Sequence, residues 1–211
     1  MQLILYYAPN ACSLVPYVTL TEADAIFEVR PLNFRKSQHM APEYLRLNPK
    51  HKVPVLVIDG EPLTENVAIQ IWIARNFPAA KLLPMQELHA ISLLAWCASG
   101  IHPFLSRINS PPRVCDLPGA EESVRRLAVQ QLFENYQIAD NKLAGREWFF
   151  DHFTAVDAHF FWCFRRGTQF NLDLSHFKNC MAHFERMKRR QSVLKLLAYE
   201  QEVQTAFARA A

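Results

Sequence analysis

Every strand-like run in this 211-residue chain lies before Pro78, and everything after Pro84 carries the three-to-four-residue spacing of helices. That asymmetry predicts two domains: mixed α/β structure over 1–78 and an all-helical bundle over 85–211, joined by the linker Pro78 to Pro84. A chain that is half hydrophobic, with only five glycines, belongs with helix-rich globular proteins and away from disordered or fibrous ones.

The opening residues read as a β-α-β unit. Leu3 to Tyr7 is a short apolar run that ends at Pro9-Asn10, the pattern of a buried strand entering a loop. Pro16 is tolerated only in a first helical turn, so the helix that follows begins near Cys12 or Ser13. Phe27 to Leu32 reads as a second, parallel strand, Arg35 to Pro42 as a loop, and EYLRL as a brief helix. Val53 to Gly60 and EPLTE form a hairpin around Asp59-Gly60, and a helix runs from Thr64 or Glu65 to Phe77. Beyond the linker, helices are expected near 87–102, 119–143, 154–167, 175–189 and 192–209. Thr154 and Asp157 stand at capping-box spacing, which is a folding signal.

Several function classes are disfavoured. No window approaches the ~18 uninterrupted apolar residues of a membrane span, and MQLILYYAPN lacks the basic head of a secretory leader, so a cytoplasmic location is expected. Five scattered cysteines, with no C-x-x-C pair and no Cys/His metal spacing, predict free thiols and neither disulfides nor a metal site. With a net charge of +3, the cluster Arg186, Lys188, Arg189 and Arg190 reads as a cationic helix end and not as a nucleic-acid surface.

The residues that can carry chemistry gather in the first domain. Cys12, at a helix start, sits beside unpaired N–H donors that favour a thiolate; with Val15 where a redox partner would stand, any reaction there uses a lone thiol. A cis bond at Val53-Pro54 would turn the Val53 N–H and C=O toward an extended ligand. Glu65-Asn66 at a helix start suits the zwitterionic end of an amino acid, with Glu65 for the ammonium and the backbone N–H groups and the Asn66 amide for the carboxylate. In each case the plain alternatives stand beside these: a buried apolar Cys, a trans proline, an ordinary helix cap.

The segments YYAPNACSLVPYVTLTEA, NPKHKVPVL, LTENVAI and FTAVDA, at these intervals, resemble bacterial, cysteine-containing (beta-class) glutathione S-transferases over nearly the whole chain. The resemblance implies a thioredoxin-like first domain, glutathione as substrate, a small hydrophobic electrophile as second substrate, and a homodimer. It implies that Cys12 faces the glutathione sulfur, Val53 and Pro54 meet its cysteinyl backbone, and Glu65 and Asn66 its γ-glutamyl end, with Lys36 and Lys52 near its carboxylates. Tyr7, Ser13 and His102 are further candidates to act on the sulfur; for Tyr7 an aromatic packing role competes. Trp96, Phe104, Phe160, Phe161 and Trp162 are candidates for the electrophile wall, competing with core roles. Asn66 and His51 stand where the family usually has a small residue and glycine. The implied activity is glutathione conjugation; thiol-disulfide exchange or peroxide reduction through Cys12, and glutathione binding without catalysis, are its alternatives.

Overall fold

A computed structural model describes residues 1–209. By its internal contacts the chain forms two compact units: one from Met1–Leu83 together with the segment from Lys188 onward, the other from Pro84–Met187.

The first unit is built on a four-stranded sheet. Strand β1 (Leu3–Tyr7) is followed by helix α1 (Leu14–Glu22) and strand β2 (Glu28–Pro31), which pairs parallel to β1. Two short 3-10 turns and helix α2 (Pro42–Leu47) lead to β3 (Val55–Ile58), β4 (Glu61–Thr64) and helix α3 (Asn66–Asn76). The strand order is β2-β1-β3-β4, with β3 antiparallel to both of its neighbours. The turn between β3 and β4 places Asp59 at φ 48° and Gly60 at φ 95°, the left-handed pair that tight hairpins require. β1 and β3 are central, and Leu5, Tyr7, Val55 and Leu56 on them have no exposed surface.

The second unit contains helices α4 (Glu87–Trp96), α5 (His102–Asn109), α6 (Glu121–Lys142), α7 (Ala155–Thr168) and most of α8 (Lys178–Lys188). Where the sequence suggests a helix ending near residue 102, the chain stays helical to Asn109 by way of a π turn over Cys97–Ile101. Pro103 is the physical reason. It has no N–H for the carbonyl of Ser99, and its ring crowds that carbonyl, so the ladder widens ahead of it instead of stopping. By length and composition the run Glu87–Asn109 meets what a membrane span needs, which the sequence reading did not allow for. Its buried residues, Ala90, Leu94, Cys97, Ile101, Leu105 and Ile108, recur every three or four positions, the stripe by which a helix packs on other helices, here α6 and α7.

Helices α6 and α7 approach closely at one point. A Cβ built on Gly167 would stand 2.4 Å from the Tyr136 hydroxyl, which donates at 2.8 Å to the carbonyl of Cys163. Tyr136 is fully buried and cannot swing away. Gly167→Ala is therefore expected to cost about 1–3 kcal/mol through overpacking, measured by chemical denaturation; a neutral result would mean that the two helices separate freely there.

Helix α9 (Gln191–Arg209) closes the first unit by packing on α1. The two are tied at two places, at the C-terminal end of α1 and through the strand and loop that precede α1. At one end the Arg190 guanidinium donates to both oxygens of Glu22, at 2.9 and 2.6 Å, and Ser192 also bonds that carboxylate. At the other end the Tyr7 hydroxyl and the Asn10 N–H donate to Glu200 Oε1, at 2.9 and 2.7 Å.

Candidate functional site

The candidate site is assembled where β1 hands the chain to α1. Ser13 ties this loop into a ring: the Ala8 N–H donates to Ser13 Oγ at 3.0 Å, and that hydroxyl lies 3.3 Å from the Ala8 carbonyl. Asn10, at φ 63°, turns the chain and gives its N–H to Glu200. Both hydroxyls considered from sequence are thus engaged, Ser13 with Ala8 and Tyr7 with Glu200.

Cys12 precedes the cap residue Ser13 of α1 and is only 8% exposed. Its thiol donates to the Val53 carbonyl at 3.5 Å. Its own carbonyl accepts from Asn66 Nδ2 at 2.9 Å and from the Val15 N–H at 3.1 Å. The site therefore brings Cys12, Val53 and Asn66 together from the β1–α1 loop, the entry to β3 and the start of α3. The Val53-Pro54 bond is cis.

The electrostatics of Cys12 run against the sequence expectation of a thiolate. Burial pushes its pKa up to about 12, opposed by hydrogen bonds from backbone and from Asn66; Glu65 raises it and Lys52 lowers it. Desolvation outweighs the helix end because the thiol is enclosed and its hydrogen bond, to a carbonyl, needs the proton. The free protein carries a neutral S–H at this position.

Asn66 is also used differently from the sequence reading. Its side chain is buried, giving an N–H to the Cys12 carbonyl and accepting from Gln70 Nε2 at 3.3 Å, so the amide helps to hold the Cys12 loop. Glu65, by contrast, is exposed at the head of α3, with backbone φ 71°. Its carboxylate meets Lys50 Nζ at 2.5 Å, and the same ammonium reaches Thr64 Oγ1 at 2.8 Å. Sequence reasoning passed over Lys50; its place in NPKHKVP, one hairpin away from Glu65, was the only signal.

The loop carrying Lys50, His51 and Lys52 is pinned from beneath. The Tyr44 hydroxyl and Asn48 Nδ2 both donate to the Lys52 carbonyl, at 2.6 and 2.7 Å, and the Lys50 N–H donates to Asn48 Oδ1 at 3.2 Å. His51 takes φ 48°, a left-handed conformation that a glycine adopts without cost. Lys36 lies on the turn after β2, exposed, its N–H on Asn33 Oδ1 at 3.3 Å.

His102 belongs to the second unit, at the start of α5, with its ring 4.4 Å from that of Trp162. Near it lies His159, 1% exposed, with neither ring nitrogen hydrogen-bonded; burial and then the nearby His102 pull its pKa down to about 3. Of the candidate aromatics, Phe160, Phe161 and Trp162 are core residues, and Trp96 donates to Asn135. Phe104 is half-buried beneath the Arg107 guanidinium. Among the described residues no group of three or more His, Cys, Asp or Glu is gathered to hold a metal.

A βαβ unit continued by an antiparallel hairpin and a helix, with a cysteine at the first strand-to-helix turn, defines a thioredoxin-like domain, here accompanied by a mostly helical unit. Residues 1–75 match the family profile "Glutathione S-transferase, N-terminal domain". The chain is similar to "Glutathione S-transferase GstA" of Escherichia coli O157:H7, at 29% identity over 93% of this chain and 98% of the relative. Among solved structures it is similar to a glutathione S-transferase from Xylella fastidiosa (28% identity, 95% and 99% of the two chains, TM-score 0.88). It is similar, too, to the bacterial beta-class enzyme of Sphingomonas chungbukensis (28% identity, 93% and 98%, TM-score 0.84). The chain is thus a glutathione S-transferase-like protein of the bacterial type.

Proposed function

We propose that this protein is a transferase that conjugates glutathione to small hydrophobic electrophiles, with the tripeptide held on its first unit. The reading is supported by a relative named as a glutathione S-transferase and by a structural neighbour, a sphingomonad glutathione S-transferase complexed with glutathione (25% identity, TM-score 0.83). The observation that carries the choice of chemistry is the neutral Cys12 thiol hydrogen-bonded to Val53.

A glutathione cysteinyl residue paired with the Val53 backbone would bring its sulfur close to the Cys12 S–H, a donor better suited to stabilising a neighbouring thiolate than to attacking it. Lys52, whose charge already acts on Cys12, would favour the same anion. The glutathione thiol loses its proton to solvent, its sulfur forms a bond to the electrophilic carbon, and the leaving group departs with the electron pair. Glu65 takes the γ-glutamyl ammonium, and Lys36 and Lys52 attend the tripeptide's carboxylates. Tyr7, Ser13 and Asn66 act as positioning residues for the loop that carries Cys12. The protein works in the cytosol as a homodimer, which sedimentation of the purified chain would test.

Exchange chemistry through Cys12 is the weaker reading because it needs the thiolate. Burial pushes the pKa of Cys12 far above neutrality, so the thiolate is scarce at pH 7. Cys12→Ala is therefore expected to keep conjugation of glutathione to an aryl halide within about tenfold of wild type. In the unliganded wild type, alkylation of Cys12 by iodoacetamide should go on rising from pH 7 to pH 10. Loss of conjugation in Cys12→Ala, together with an alkylation plateau near neutral pH, would transfer the chemistry to Cys12 itself.

A further inference from the structure

We infer that Lys50 is a second ligand-binding group at the amino acid end of the site, recognising the α-carboxylate of the γ-glutamyl residue while Glu65 takes its ammonium. The inference rests on the proposed reading that glutathione binds with its γ-glutamyl end at the head of α3. The side chain that the sequence offers for the carboxylate, Asn66, is turned inward and engaged by Cys12 and Gln70.

The Lys50–Glu65 pair has the complementary shape. An ammonium has three N–H donors, and Lys50 uses one on Glu65 Oε1 and one on Thr64 Oγ1, leaving one to give. Glu65 accepts from Lys50 on Oε1, and among the described residues Oε2 has no hydrogen-bond partner. One spare donor of positive charge beside one spare acceptor of negative charge is the counterpart of an amino acid's ammonium and carboxylate on a single carbon. The ligand closes a ring of four alternating charges without breaking the existing ion pair. The first-turn N–H groups of α3, eleven residues long, point their positive dipole end to the same place.

The frame holding the two charges is independent of the ligand. Lys50 rides on the loop fixed by Tyr44 and Asn48, while Glu65 is set by the hairpin and by the head of α3. Both side chains are about half exposed or more, 47% for Lys50 and 68% for Glu65, so the contribution is that of an exposed ion pair and removing Lys50 leaves the fold intact.

The test compares two probes by titration calorimetry on the full chain: glutathione, and 4-aminobutyryl-cysteinylglycine, which keeps the amino group and lacks the α-carboxylate. Lys50→Met is expected to weaken glutathione about fivefold and to leave the decarboxylated probe unchanged, with Lys50→Arg restoring most of the loss and all three proteins melting at the same temperature. Equal weakening of both probes would make Lys50 only a support for Glu65, and no change with either would remove it from the site; each result overturns the inference while leaving glutathione binding in place. If wild type fails to bind glutathione, the underlying reading falls, and the inference with it.

Discussion

Asp157→Ala is expected to lower the stability of the protein by about 3–5 kcal/mol, the scale for stripping a buried carboxylate from its partners. Asp157 is fully buried, and four groups converge on its two oxygens. The Thr154 N–H and hydroxyl lie at 2.8 and 3.0 Å from Oδ2, and the Phe149 N–H and His183 Nε2 each lie at 3.1 Å from Oδ1. Alanine leaves these groups without water or partner, and an orphaned buried donor costs about 1–3 kcal/mol. The same carboxylate closes the capping box of α7, whose first ten residues are all buried, so the loss falls on the central helix of its unit. Chemical denaturation measures it; a change below about 1 kcal/mol would mean that the neighbouring chain relaxes to solvate those donors. Asp157→Asn keeps one acceptor oxygen and should lose roughly half as much.

The second large effect is expected at Glu200. This residue is 3% exposed, and one of its oxygens takes both the Tyr7 hydroxyl and the Asn10 N–H. Glu200→Ala removes the acceptor that both donors share and should cost about 2–4 kcal/mol, whereas Tyr7→Phe removes one of the two hydrogen bonds and should cost less. The stability loss has a local signature. Asn10 is two residues from Cys12, so losing the bond from its N–H to Glu200 weakens the hold on the loop whose closure buries the thiol. Alkylation of Cys12 should then speed up by more than the change in global unfolding explains, and Glu200→Gln, which keeps the acceptor oxygen, should recover most of the protection. If alkylation follows global unfolding in both variants, α9 has no hold on the reactive loop.

The two effects differ in how far the sequence announced them. Thr154 and Asp157 stand three residues apart before an apolar run, and a capping box is a local device, so its spacing is visible in the chain. His183 and Phe149, which complete the burial of Asp157, are not visible in that way. Glu200 and Asn10 are 190 residues apart, and nothing in the composition of α9 marks one glutamate among its polar residues as buried.

The candidate site divides along the same line. Cys12, Val53 and Glu65 could be picked out because each sits at a boundary, a strand end, a strand start or a helix head, where hydrophobic periodicity changes. Their protonation and hydrogen bonding could not. A helix start argues for a thiolate, yet burial and the Val53 carbonyl hold Cys12 protonated. A terminal amide argues for ligand contact, yet Asn66 serves the Cys12 carbonyl. The π turn ahead of Pro103 lay between these cases: the sequence pattern suggested a helix end near residue 102, and the structure shows the ladder widening over Cys97–Ile101 and continuing to Asn109.

Periodicity, proline placement and turn chemistry are properties of neighbours along the chain, and they alone were enough to determine the strands, most helix limits and the hairpin at Asp59-Gly60. Tertiary structure decided that α9 belongs with the first unit, that Lys50 pairs with Glu65 while the Asn66 amide bonds the Cys12 carbonyl, and that burial pushes the Cys12 pKa up. These depend on which distant groups exclude water from one another, and desolvation exists only once the chain has closed around them.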